Sequence, residues 1–451
     1  MPVHTVMPRG DLAPADILAA IGAESDGFIL ESAAGGGRWS FIGGAPLRVL
    51  NTAAEPDPLS VVQRDVADLA VARIDGLESP LVGGAVGMLT YEAARAYERI
   101  PRAPHDPFGV PDAWFGVHET LVAVDVADPA MHLIALAGGD GGFDDAVRRL
   151  ESLHERLRAA HPMTLHAEAS TAREVDTGQL ATNMSRRGFM EAVQRTREHI
   201  AAGDIFQLQL SRRFTVPLQA HPLAVYRRLR TINPSPYMVY LATPHGTLVG
   251  ASPEMLVRVN GDHISYHPIA GTRRRGRDEA DDARMERELR SSDKEQAEHL
   301  MLVDLGRNDV GRVSATGTVK VTELMGVERY SHVMHLVSSI EGRLDNDRTS
   351  LDALRACFPA GTVTGAPKMR AMEIIATLEP EVRGPYAGAV GYVGFGGDLD
   401  TAITLRTLFI RDGVGYAQAA AGVVMDSTPE HEALEVDNKV AVLLQAAMEA
   451  A

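Results

Sequence analysis

The stretch Ile205–Phe214 (IFQLQLSRRF) most restricts what this chain can fold into. Phe206, Leu208 and Leu210 fall on one side of it, and Gln207, Gln209 and Ser211 on the other. Such alternation belongs to a strand with two different faces, so the chain must build a sheet. Further β-type runs occur at 28–32 and 39–43, separated by the Gly-rich loop 33–37 in the manner of a hairpin, and at 83–89, 238–242, 248–251 and 254–259. Helical spacing alternates with them. It is read at 144–160, at 369–378, and after the N-cap candidate Ser185, where Phe189, Val193, Thr196 and Ile200 share a face. A last helix is expected from Ser427 or Thr428, with Pro429 in its first turn. The class is α+β. Residues 161–184 are polar and aperiodic and read as a linker between an N-terminal region, 1–160, and a second region, 185–451.

A chain of 451 residues exceeds one small core, which favours two domains or one large intertwined one. Its 44 basic and 60 acidic residues leave a formal charge of −16, and no Lys/Arg block is present. That composition argues against nucleic acid and anionic membranes as partners. It also means that an anionic substrate would need a local cation. The single Cys357 excludes an intrachain disulfide, no apolar run reaches the length of a membrane span, and the N-terminus lacks a signal-peptide core. A cytoplasmic location is the expectation.

Two carboxylate pairs stand out. Glu295 and Glu298 lie three apart in SSDKEQAEHLMLVDLGRNDVGR, and Glu432 and Glu435 repeat that spacing near the C-terminus. Two such helices could hold one Mg²⁺ between them, since this ion takes one or two protein carboxylates and keeps oxygens free for water and substrate. The plain alternative is helix capping, because Ser292–Glu295 and Ser427–Glu430 both fit the capping-box pattern. His335, in the strand-like SHVMHLVSSI, is either a satisfied core histidine or a proton carrier. FPAGTVTGAPKMR (358–370) and the Gly/Ala run 417–422 suit close backbone approach to an anion, and equally suit tight turns. An arginine such as Arg406 often lies at a strand edge, and Glu435–Lys439 is also an ordinary helix-surface pair.

Together and in order, these stretches resemble the chorismate-utilising enzymes, and within them the large-subunit (component I) family of anthranilate synthases. The resemblance spans essentially the whole chain and is carried by ILESAAGGGRWSFIG, INPSPYMVYL, GASPE, HPIAGTRRRG, EHLMLVDLGRNDVGRV, HVMHLVS, FPAGTVTGAPKMRAMEII, GPYAGAVGY and AGVVMDSTPEHEALEVDNK. It implies two large, mostly antiparallel sheets wrapped by helices, with the two regions interleaved. It implies Mg²⁺ held by Glu298 and Glu435, with Glu295 and Glu432 behind them. Chorismate would contact Gly271, Thr272, Tyr386, Arg406, Ala420, Ala421, Gly422 and Lys439. Glu254 would act as general acid on the departing hydroxyl, and His335 would assist loss of pyruvate, with Thr272 beside them. Glu31, Ser32, Pro236, Tyr237 and Met238 match the element that binds L-tryptophan as feedback inhibitor.

Two positions bear on the nucleophile. Gln207 occupies the place of a general-base lysine in relatives that add water, and Ala270 the place of a nucleophilic lysine in relatives that make 4-amino-4-deoxychorismate. Both changes favour ammonia added at ring carbon 2, with ammonia drawn from a separate glutamine amidotransferase subunit, because no such domain is recognisable here. One departure concerns the family's Gly-Ala-Gly run, which reads Ala420-Ala421-Gly422. The alternatives implied are an aminodeoxychorismate synthase component I and a non-catalytic tryptophan-binding module.

Overall fold

The computed structural model describes residues 1–451 except 35–36, 73–75, 129, 139–141, 164–175, 330–332 and 451, and except the side chains of Thr272 and Lys294. Among the described residues the strands form two antiparallel sheets, one of 12 strands and one of 10. Each sheet is assembled from both halves of the sequence. In the larger, Phe28–Glu31 pairs with Tyr237–Thr243, so the N-terminal meander 2–8, 130–136, 120–125, 39–43 continues directly into strands of the second region. In the smaller, Gly84–Leu89 pairs with Ala389–Gly394. This is the interleaving expected above. Half of the expected linker, 164–175, lies outside the described residues. Part of the rest is structured: Ala181–Thr182 pairs with Thr215 and Phe214 of the Gln207–Pro217 strand.

The alternation that predicted strands also explains the layering. In Phe28–Glu31, Phe28 enters an apolar cluster with Val86, Met88, Trp114 and Val390 of the other sheet, while Ile29 enters a cluster with Leu18, Leu150 and Tyr226 from helices. The smaller sheet likewise faces helices on its outer side through Leu256, Val257, Val303 and Val310. The order is therefore helices, sheet, sheet, helices. Helix ends follow local chemistry: Ser185 accepts from the Gly188 amide at 3.0 Å, and Pro429 opens the helix Pro429–Glu449. Two expectations are corrected. Phe206 does not share the buried face of Leu208; it precedes the strand Gln207–Pro217 and is 72% exposed. No capping box forms at Ser427–Glu430, because the helix begins one residue later, with Thr428 as N-cap, and Ser427 accepts from the Val424 amide.

A buried polar hub ties the layers together. Arg383, 1% exposed, donates to both carboxylate oxygens of Glu379 (2.9 and 2.7 Å) and to the carbonyls of Val363 and Gln209 (2.7 Å each). Glu379 also accepts from the amide and hydroxyl of Ser211 at 2.8 Å. Glu92, from the N-terminal region, accepts from the backbone amides of Arg383 and Gly384 at 2.9 Å. Removing one partner of such a pair leaves the other charge stranded. Arg383→Met is therefore expected to cost about 3–5 kcal/mol of unfolding free energy in urea titration. A change below about 1 kcal/mol would show that the pair carries little net stability.

Candidate active site

The first carboxylate pair sits on the helix Asp293–Gly311. Ser292 caps it, accepting from the Glu295 amide at 3.4 Å. The Glu295 carboxylate does not fold back to complete a capping box. It accepts from Arg273 at 3.0 Å and lies against Gly271, where an added Cβ would stand 2.9 Å from Glu295 Oε2. Glu298, half-buried, accepts from the Gln207 side-chain amide at 3.0 Å. That amide also lies 2.9 Å from the place a Cβ would take on Gly422, with the Gln209 amide at 3.0 Å, so a side chain at 422 would push both amides aside.

The second pair sits on Pro429–Glu449. Glu432 is buried, and Glu435 pairs with Lys439 at 2.6 Å. Lys439 also donates to the Ala420 carbonyl at 2.9 Å. The Ala420 backbone thus has a defined role, whatever the side chain at that position. Ala420, Ala421 and Gly422 pair in register with Ser211, Leu210 and Gln209. Among the described residues, ligand atoms of Glu432, Glu435 and His431 come within 4.8 Å of one another. His431 was not singled out from sequence, although its i, i+4 spacing to Glu435 was visible; it is exposed, and a nitrogen donor suits Mg²⁺ poorly. Glu298 is not in that cluster. It approaches the same strand ends through Gln207 and Gly422. The oxygen-rich carboxylate set fits a hard divalent cation.

Glu254 and His335, the expected acid and its helper, both meet the strand Ile269–Arg274. It pairs with Val333–Arg343, and the register slips between Ala270 and Thr272, leaving Gly271 as a bulge at φ +62°. The Gly271 carbonyl accepts from His335 Nδ1 at 3.0 Å. A carbonyl can only accept, so this bond puts the ring proton on Nδ1 and the lone pair on Nε2. Burial lowers the His335 pKa to about 4; Arg406 and Lys439 push the same way and the Gly271 carbonyl opposes them. Glu254 follows the turn Ser252-Pro253. Burial raises its pKa to about 8, against the Thr362 hydroxyl and the Ile269 backbone amide. One short strand thus offers an amide to a carboxyl and a carbonyl to an imidazole. At neutral pH the carboxyl keeps its proton, and the imidazole is neutral, with its one N–H on Nδ1. Tyr386 is buried, with the Ala420 backbone hydrogen-bonded to its phenol. Arg406 sits at φ +46° in the turn between Leu399–Ile403 and Thr407–Arg411, a backbone region uncommon for a side-chain-bearing residue. Thr272 pairs with His335 in the ladder; its side chain lies outside the described residues.

A separate cavity of about 460 Å³ lies between the sheets, lined by Glu31, Ser32, Pro236, Tyr237 and Met238. The Glu31 carboxylate is engaged by Tyr226 (2.5 Å) and Arg230 (2.7 Å), so it ties the strand to the helix Pro222–Ile232. Sequence reading missed the cavity's polar centre: Asp400 pairs with Arg258 at 2.8 Å and accepts from the Tyr237 hydroxyl at 3.2 Å. Tyr237 lies in a stretch already singled out from sequence, but Asp400 and Arg258 lie outside it in the chain and no local pattern marks them. With Leu30, Trp39 and Tyr392 nearby, the cavity combines aromatic walls with charge.

The model of the chorismate binding enzyme family matches residues 27–445. Anthranilate synthase component 1 of Streptomyces coelicolor is 46% identical over 99% of this chain and 88% of its own length. That of Thermus thermophilus is 48% identical over 81% of this chain and 78% of its own length. The crystal structure of anthranilate synthase component I from Streptococcus pneumoniae superposes with a TM-score of 0.80, at 34% identity, covering 97% of this chain and 98% of that one. Among the described residues no helix is long and apolar enough to cross a membrane. Sequence, fold and site together establish that the chain belongs to the chorismate-binding enzyme family.

Proposed function

We propose that this chain is an anthranilate synthase component I, converting chorismate and ammonia to anthranilate and pyruvate. The observation that carries the chemistry is the opposite tuning of Glu254 and His335 on either side of Ile269–Arg274. Ammonia attacks ring carbon 2, the ring double bonds shift, and the 4-hydroxyl leaves with a proton from Glu254. His335 Nε2 then takes the hydrogen from carbon 2 as the carbon 3–oxygen bond breaks and enolpyruvate departs. A neutral imidazole suits that second step and a protonated carboxyl the first. The Arg406 guanidinium is suited to the enolpyruvyl carboxylate, which it can grip bidentately. Gly271, Thr272, Tyr386, Lys439 and the backbone of 420–422 surround the rest of the substrate. Glu298 and Glu435 would hold Mg²⁺, backed by Glu295 and Glu432; when bound, the ion offsets the ring carboxylate's charge in an acidic protein. Gln207 supports ammonia over water as nucleophile, because its amide donates to Glu298 and cannot take a proton. Ala270 supports direct amination without a lysine adduct. The nitrogen source in the cell is a glutamine amidotransferase partner, and L-tryptophan occupies the inter-sheet cavity as inhibitor. The site of action is the cytoplasm.

The deciding experiment supplies the purified chain with chorismate, Mg²⁺ and an ammonium salt. Anthranilate fluorescence with equimolar pyruvate is expected; aminodeoxychorismate without pyruvate would reassign the chain to the para-aminobenzoate branch. Chelating the divalent metal should abolish turnover, and Mg²⁺ should restore it; full activity in chelator would sink the carboxylate assignment. At constant free ammonia, kcat/KM should be flat near neutrality. It should fall as pH rises through about 8, where Glu254 loses its proton, and as pH drops through about 4, where His335 gains one. Glu254→Gln should lower kcat by roughly 10²–10⁴-fold and erase the alkaline limb. Ser32→Ala should weaken tryptophan inhibition by roughly 5–10-fold, the worth of about one hydrogen bond, with turnover unchanged. An unaltered inhibition constant would place the effector elsewhere.

A further inference from the structure

The inter-sheet cavity and the reaction centre share a wall. Ile269 and Val337 line the cavity and form one rung of the ladder between Ile269–Arg274 and Val333–Arg343. Two steps along, the same ladder carries Thr272 opposite His335, with the Gly271 bulge in between. Val337 and His335 are thus about 7 Å apart along one strand, on the same side of it. The third strand repeats the arrangement: Glu328 lines the cavity and pairs in register with His335. Glu254 is approached from the cavity as well, since Pro253 and Met255 on either side of it both form cavity wall. Ile269 itself joins the two places, with its side chain on the cavity and its backbone amide at the Glu254 carboxyl.

We propose that the Gly271 bulge is the coupling element of this enzyme: an amino acid filling the cavity displaces the Ile269–Val337 rung, and the bulge converts that displacement into a shift of the Ile269 amide from Glu254 and of the Gly271 carbonyl from His335. This rests on the reading of the cavity as the tryptophan site. A regular ladder would pass a push straight along the strand. A bulge has one residue outside the pairing, so its carbonyl can swing with little loss of ladder hydrogen bonds. The neighbouring packing leaves the swing few directions. A Cβ on Gly271 would meet Glu295 at 2.9 Å and Leu289 at 3.0 Å, so the bulge is pressed against the helix that carries Glu298. The packed interior transmits such a displacement rather than absorbing it. Coupling of this kind is reciprocal for binding and typically spans roughly 5–150-fold. Tryptophan and chorismate should therefore weaken each other's binding by one common factor.

Two variants of one residue test the proposal. Val337→Ala removes wall volume and should blunt the push. Tryptophan should still bind by calorimetry, within about threefold of the original Kd, while its effect on kcat/KM for chorismate shrinks by tenfold or more. Val337→Phe fills the wall from the protein side. It should lower kcat/KM without any tryptophan, with its thermal unfolding profile retained. Hydrogen exchange of the original protein should report changed protection in 269–274 on adding tryptophan. Inhibition as deep in Val337→Ala as in the original chain, with unchanged exchange in 269–274, would overturn the coupling. Should tryptophan bind neither protein, the effector assignment fails by itself. Val337→Phe then still decides, because a folded variant with unaltered kcat/KM would refute the shared-wall mechanism without reference to any ligand.

Discussion

The Arg383–Glu379 pair is the constraint on which the packing of residues 207–209, 363 and 386 depends. A guanidinium removed from water is tolerated only where every donor finds an acceptor and a carboxylate supplies the counter-charge. Arg383 meets that condition by drawing in the carbonyls of Val363 and Gln209, which belong to segments distant in sequence. Gln209 lies two residues from Gln207, the amide on Glu298, and Val363 adjoins Thr362 beside Glu254. Tyr386 follows Arg383 by three residues, and its ring lies 5.9 Å from the guanidinium. One buried cation therefore sets the relative positions of the Gln207–Pro217 strand, the loop at Thr362 and the Tyr386 phenol. Glu92 adds the N-terminal region to that arrangement through two backbone amides.

Against this rigid base, two oppositely tuned groups meet a single strand. Ile269–Arg274 uses backbone groups, not side chains, to address Glu254 and His335. Backbone partners orient a catalytic group without adding a charge that would override the effect of burial. Burial then acts oppositely on the two, because it disfavours the charged form of each: the carboxyl keeps its proton and the imidazole stays neutral. A protonated carboxyl and a neutral imidazole at the same pH thus follow from one physical cause.

Much of this was legible in the chain. The alternation at 205–214, the helix spacing after Ser185 and the proline at 429 announced their elements, because these signals depend on neighbours within a turn or two. Other readings needed the folded partner. The Ser292-x-x-Glu295 pattern is a capping box on paper, yet Arg273 outcompetes the helix terminus for the carboxylate. Glu31 matches the tryptophan-binding element and lines the cavity, but only the fold shows its carboxylate held by Arg230 and Tyr226. The cavity's Asp400–Arg258–Tyr237 centre joins three separate strands and leaves no local mark.

By itself, then, the sequence determined the elements, the family and the chemical types in the site, since motif order and local periodicity are written along one dimension. Only the tertiary structure decided which carboxylate keeps its proton, which amide meets Glu298 and which strand runs from the cavity to Glu254 and His335. Those outcomes depend on burial and on contacts between residues as far apart in the chain as Gln207 and Glu298, and neither quantity exists until the two sheets close on each other.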